Sequence, residues 1–149
     1  MVVDGEIAFT GGINLGDEYL GRDQAIGNWE DMGLKVVGEG VHWMQKVFLA
    51  DWYYVTGEKI VDKDFFPPVV LEEILPIQIV TSGYDTHWNE ISQVYFSMIT
   101  SAKEKVYIAT PYLVLSDSML KAIETAALKG VDVNIIVPKN PDLFIVGWA

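Results

Sequence analysis

Apolar and polar residues change their rhythm several times along this chain, and each rhythm predicts an element. Met1–Gly12 reads as strand, Asp-Gly turn, strand, apolar on either side of Asp4-Gly5. Leu34–Val37 is a short strand. Val41, Met44, Phe48, Trp52 and Val55 then step by three, four, four and three residues, which is one face of a helix over 40–55 that Gly57 ends. Farther on, Ile77–Val80 reads as a buried strand with a turn at Thr81-Ser82-Gly83. A helix follows over 87–103, with Thr86 as its cap and Trp88, Ile91, Tyr95 and Met98 facing inward. Lys105–Ala109 is a second strand, stopped by Thr110-Pro111-Tyr112. Ser116 caps a helix to Leu128, Gly130 gives its left-handed exit, and Val131, Val133, Ile135 and Val137 alternate in a third strand. Strand–helix–strand–helix–strand implies right-handed crossovers and a parallel sheet, so the fold class is α/β.

Punctuation divides the chain further. From Leu15 to Met32 it turns acidic and glycine-rich, with Gly16, Gly21 and Gly27, and reads as a long functional loop. Pro67-Pro68 and Pro76 mark residues 58–76 as a connector between 1–57 and 77–149. The chain opens directly on a hairpin and stops on the apolar run Leu143–Ala149. Domain ends are usually polar and frayed, so both ends are expected to be cuts within a longer protein.

Composition narrows the classes. Half of the 149 residues are hydrophobic and 21% are charged, which excludes a disordered chain or a coiled coil. Ten Lys and Arg against 21 Asp and Glu give a net charge of -11, which argues against a nucleic-acid surface and against docking alone on an anionic bilayer. With no cysteine, thiolate chemistry, disulfides and cysteine zinc sites are excluded. The longest apolar runs, Pro67–Leu71 and Leu143–Ala149, fall far short of the roughly 20 residues that span a bilayer.

Few residues suggest chemistry by themselves. His42 and His87 stand outside any metal-spaced cluster and read as structural. Asp17, Glu18 and Asp23 miss calcium-loop spacing and read as a solvated loop. Ser82 follows a strand and precedes a glycine, but Gly-x-Ser-x-Gly is not met, so a capping or phosphate-contacting hydroxyl fits better than a nucleophile. Ligands of parallel sheets bind beyond the carboxyl ends of strands, here Thr81–Asp85, Thr110–Tyr112 and Pro138–Asn140. Thr110 and Tyr112 either line such a pocket or merely terminate a strand. In Asp4, six residues, then Gly11-Gly12-Ile13-Asn14, the glycines allow backbone amides close to an anion and Asn14 adds a donor. A tight turn after a strand explains that pattern equally well.

With its neighbours the pattern gains specificity. Residues 2–19, from Val2-Val3-Asp4 through Gly11-Gly12-Ile13-Asn14 to Gly16-Asp17-Glu18-Tyr19, resemble the end of the first catalytic motif of the phospholipase D superfamily. That motif is His-x-Lys, four residues, Asp, six residues, Gly-Gly/Ser-x-Asn. Asn28-Trp29-Glu30-Asp31, Val47–Trp52, Ile108–Tyr112, Ala126–Val133 and Ile136-Val137-Pro138 narrow the resemblance to bacterial cardiolipin synthases. Gly33 and Gly40 depart from it, standing where a polar residue and a proline are expected.

The resemblance implies a phospholipase D-like mixed or parallel sheet flanked by helices, with this chain running from the end of one half into the start of a second. It implies phosphatidyl transfer between two phosphatidylglycerols through a phosphohistidine, without metal or cofactor. Asp4, Gly11, Gly12 and Asn14 would be a motif remnant, Asn14 the phosphate donor and Asp4 an anchor. The catalytic His-x-Lys pairs would lie outside the chain, leaving it inactive alone. Phospholipids would be the partners, nucleic acid would not, and the parent would sit at the bacterial cell membrane through segments missing here. A chain that splits a two-half core exposes apolar surface, so self-association is expected. Two alternatives stay open: another phospholipase D-type phosphodiesterase or phosphatidylserine synthase, and a non-catalytic interaction domain.

Overall fold

The computed structural model describes residues 1–22, 27–69, 75–83 and 88–138. Asp23, the Thr86 cap, His87 and the Leu143–Ala149 run lie outside these residues. The chain divides into two compact units, Met1–Val80 and Thr81–Ala149. Together they hold an antiparallel and a parallel sheet with helices, a mixed α/β architecture.

In the first unit, β1 (Val2–Val3), β2 (Ile7–Gly11) and β3 (Gly33–Val37) form an antiparallel sheet in chain order. Val2 faces Ala8, which faces Val36, so these three side chains share one face. Helix α1 (Glu39–Thr56) packs there, burying Ala8 and Val41 completely. The five-residue strands run only about 17 Å, whereas 18 helical residues run about 27 Å. The helical face read from the sequence is therefore covered at its start and bare at its end. Val41 is buried, Phe48 is half exposed and Val55 is 81% exposed. Gly57, with φ 71°, closes the helix by donating its N–H to the Tyr53 carbonyl.

Ile77–Val80 forms no strand, contrary to the sequence expectation. A strand needs a ladder partner, and Ile77 is used otherwise. It packs over the first turn of α1, where a Cβ on buried Gly40 would come within 3.0 Å of Ile77 Cγ2 and 3.2 Å of Val36 Cγ1. The departure at Gly40 thus makes room for Ile77.

In the second unit the order is α2 (Glu90–Ser101), β4 (Lys105–Ala109), α3 (Asp117–Leu128) and β5 (Asp132–Ile136). β4 and β5 pair in parallel, Lys105 opposite Asp132 through Ala109 opposite Ile136, so the described sheet has two strands where three were expected. Ser116 caps α3 by accepting the Met119 N–H, and Gly130 follows with φ 88°. Ile99, Ala122, Ile123, Ala126 and Val131 form the buried core, with Val106, Ile108, Val133 and Ile135 on it from the sheet. The opposite sheet face is exposed. There Tyr107 donates to Asp132 at 2.8 Å and Asn134 donates to the same carboxylate. That hydrogen bond, then burial and the carboxylate charge, holds the Tyr107 hydroxyl proton above its ordinary pKa.

Helix α2 is turned relative to the sequence reading. Ile99 is its buried residue, whereas Trp88 precedes the helix and is 70% exposed and Met98 is 60% exposed. The apolar stripe of α2 is wide, and periodicity does not fix its centre. Ala122 and Ala126 let α3 approach closely, which seats Ile99 between them and Val131. Ile99→Ala is accordingly expected to cost about 2–4 kcal/mol in urea unfolding, and Met98→Ala less than about 1 kcal/mol. The reverse order would restore the sequence-derived face.

Candidate functional site

The site is built on the two ends of β2. At the first end, the Glu6 N–H donates to the Val3 carbonyl at 3.1 Å across Asp4 and Gly5, whose φ values are 54° and 70°. Positive φ at both central positions is what a tight hairpin turn requires. Gly5 is also pressed by the connector, for a Cβ there would lie 2.5 Å from the Phe65 carbonyl oxygen and 2.7 Å from the Pro67 ring. Asp4 is exposed and lines a groove of about 470 Å³ with Gln45, Phe48 and Phe65.

At the other end, Gly11 faces Gly33, and a Cβ on Gly11 would lie 2.7 Å from the Met32 carbonyl oxygen. The Asp31 carboxylate lies directly against Gly12. That carboxylate accepts the Met32 N–H at 2.6 Å and the Trp29 indole N–H at 3.4 Å. The Trp29 ring meets Tyr19 edge-on at 4.7 Å, and the Tyr19 hydroxyl accepts a hydrogen bond from Asn14 Nδ2 at 3.0 Å. Gly12, Asn14 and Tyr19 are thus tied to Trp29, Asp31 and Met32 through side chains. Asp17 and Arg22 add an ion pair at 3.2 Å, which at their exposure contributes little.

Gly11, Gly12 and Asn14 therefore come together on the open surface, while Asp4 sits at the opposite end of the strand. Sequence reasoning missed Tyr19, Trp29 and Asp31 as partners of this corner. Their signal was available, since two large aromatics in a glycine-rich loop need something to pack on.

The remaining candidates lie elsewhere. Thr110 extends the β4–β5 ladder through its N–H to the Ile136 carbonyl, and its hydroxyl both donates to the Tyr112 carbonyl and accepts the Tyr112 N–H. Both residues border an apolar groove of about 780 Å³ with Ile91, Tyr95, Leu113 and Met119. The Ser82 hydroxyl donates to Glu90 at 3.3 Å, a contact at the start of α2. His42 is half-buried with its ring edge-on to Phe66 at 5.6 Å, and its Nε2 has no hydrogen-bond partner among the described residues. Among the described residues no three His, Asp or Glu side chains converge as metal ligands.

Comparison with known proteins identifies what the chain is similar to. The family model described as "Cardiolipin synthase, PLD-like domain" matches residues 95–149. Cardiolipin synthases of Geobacillus thermodenitrificans and Alkalihalophilus pseudofirmus are each 45% identical over the whole chain, which covers 30% of either protein. The Staphylococcus aureus cardiolipin synthase is 42% identical, with 31% of it covered. Over its whole length the chain is similar to the phospholipase D-like cardiolipin synthases. It spans about 30% of the length of the curated relatives it matches. No solved structure matches it.

The hairpin turn can be tested by its two glycine contacts. Gly5→Ala meets both a left-handed backbone and the Phe65 carbonyl, and is expected to lose about 3 kcal/mol of stability. Gly57→Ala has φ 71° but no heavy atom within 4 Å of its Cβ, so it should lose only about 1 kcal/mol. Equal shifts of the two urea midpoints would remove the connector contact from the account.

Proposed function

We propose that this chain is the central part of a cardiolipin synthase that moves a phosphatidyl group from one phosphatidylglycerol to another, giving cardiolipin and glycerol. Within it, residues 1–57 end a first phospholipase D-like half, 58–76 connect, and 77–149 begin a second. A histidine nitrogen attacks phosphorus, the bond from phosphorus to glycerol oxygen breaks, and a second histidine protonates the departing glycerol. A glycerol hydroxyl of the second phosphatidylglycerol then attacks phosphorus, breaking the phosphorus–nitrogen bond and returning its proton to that second histidine. Gly12 and Asn14 bind the phosphoryl oxygens, and no metal takes part.

One observation carries this reading. In the β1–β2 register every facing pair of numbers sums to 10, as Val2 with Ala8 and Val3 with Ile7. Extending β1 backwards in that register would set the lysine of the family motif, five residues before Asp4, opposite Gly11. The histidine, seven before, would fall opposite Ile13. Both would then flank the Gly12–Asn14 corner. Asp31 puts a negative charge beside Gly12, and such a lysine would offset it and strengthen anion binding there.

Replacing the aligned stretch of the Geobacillus thermodenitrificans enzyme by residues 1–149 tests the proposal. The chimera should form cardiolipin from phosphatidylglycerol in detergent micelles. Asn14→Ala in it should lower turnover by roughly a hundredfold, the scale for losing a donor to a reacting oxyanion. A folded chimera in which Asn14→Ala turns over like its parent would refute Asn14 as the phosphate donor. An active 149-residue chain on its own would refute the absence of the histidines from it.

Among the described residues no helix is long and apolar enough to cross a membrane; in this reading membrane association comes from other segments of the parent protein. The outer face of the first sheet leaves Val3, Phe9 and Val37 exposed, which supports self-association of the isolated chain. Light scattering should show its mean mass rising with concentration, and a constant monomer mass would contradict this.

A further inference from the structure

The Gly11–Asn14 corner carries one more polar group than the proposed reaction uses. Asn14 is exposed, and its side-chain nitrogen donates to the Tyr19 hydroxyl oxygen at 3.0 Å. Tyr19 is half-buried, with its ring edge-on to Trp29 at 4.7 Å and 65°. Trp29 is itself tied by its indole N–H to Asp31, whose other oxygen holds the Met32 N–H.

We infer that Tyr19 positions Asn14 and joins it as a second donor to a phosphate group bound at this corner. The inference rests on reading the corner as a phosphate site and adds the residue that organises it. A carboxamide has two N–H donors, and the bond to Tyr19 uses one of them while fixing the amide plane. The phenol, accepting with its oxygen, keeps its own O–H to donate. What remains is one N–H and one O–H on atoms 3.0 Å apart, near enough to reach the same phosphoryl group. Donors already held in place need no reordering when the anion arrives, and that is where such groups gain most. A free asparagine at the surface would first have to be ordered. The contacts from Trp29 to Asp31 and on to the Met32 backbone keep the tyrosine from swinging away.

The chemistry recognised is a tetrahedral phosphate, either in a lipid headgroup or free. The test follows the Asn14 side-chain amide resonance of the 149-residue chain during titration with inorganic phosphate and with dihexanoylphosphatidylglycerol. In the wild type this resonance should shift and saturate with both, at lower concentration for the lipid. Tyr19→Phe, which keeps the ring against Trp29, should weaken both titrations about tenfold, the scale of one hydrogen bond to a charged group. The Trp29 indole resonance and the thermal midpoint should stay where they are, which separates positioning from folding. Asn14→Ala, followed through the backbone amide of Gly12, should lose saturation. Tyr107→Phe, which removes a hydroxyl bonded to Asp132 in the other unit, should titrate like wild type. A Tyr19→Phe chain that binds like wild type beside an impaired Asn14→Ala chain would overturn the role of Tyr19 and keep the phosphate site. An Asn14 amide that moves with neither probe would overturn the phosphate site itself. Saturation by inorganic phosphate alone would keep the donor pair and overturn the lipid headgroup as its source.

Discussion

Asp4 and Gly5 both take positive φ and, with Glu6, reverse the chain so that Val3 faces Ile7 and Val2 faces Ala8. From that pairing Val2, Ala8 and Val36 align on one face, α1 finds its seat, and Ala8 and Val41 lose all contact with water. The same pairing ends β2 where Gly11 meets Gly33 at close backbone distance, and this delivers Gly12 and Asn14 to the surface. Both glycine contacts, Gly5 under the Phe65 carbonyl and Gly11 under the Met32 carbonyl, exist because a side chain would not fit. The corner that binds phosphate in our proposal is thus a product of backbone geometry before any of its side chains matter.

The second unit rests on a different constraint, small residues between two helices. Ala122 and Ala126 admit Ile99, and Val131 closes the cluster just after the left-handed exit at Gly130. One sheet face is committed to this core through Val106, Ile108, Val133 and Ile135, and the other carries Tyr107, Asp132 and Asn134 in a hydrogen-bonded row. This division of faces is what alternation in the sequence encodes.

Elements set by local chemistry were legible in the sequence. The Asp4-Gly5 turn, the Ser116 cap, the Gly57 and Gly130 exits and β4 at Lys105–Ala109 all follow from residues within a few positions of one another. Features that depend on distant partners were not. Ile77–Val80 has the composition of a strand, yet its first residue packs on Gly40, and no local signal carries that choice. The centre of the α2 face was misplaced because it depends on where α3 is small. At the candidate site, Gly11, Gly12 and Asn14 could be singled out from a motif. Tyr19, Trp29 and Asp31 left only a weaker signal, two large aromatics in a glycine-rich loop, because hydrogen bonds across a loop have no period to read.

The register of the hairpin also dictates which lengths can change. Side chains alternate along a strand, so adding or removing one residue between Asp4 and Gly11 would turn every later side chain of β2 to the opposite face. Ala8 would leave the helix for water whenever the change falls before it, and Gly11 would no longer face Gly33. The six-residue gap in the motif is therefore a parity rule imposed by the pleat.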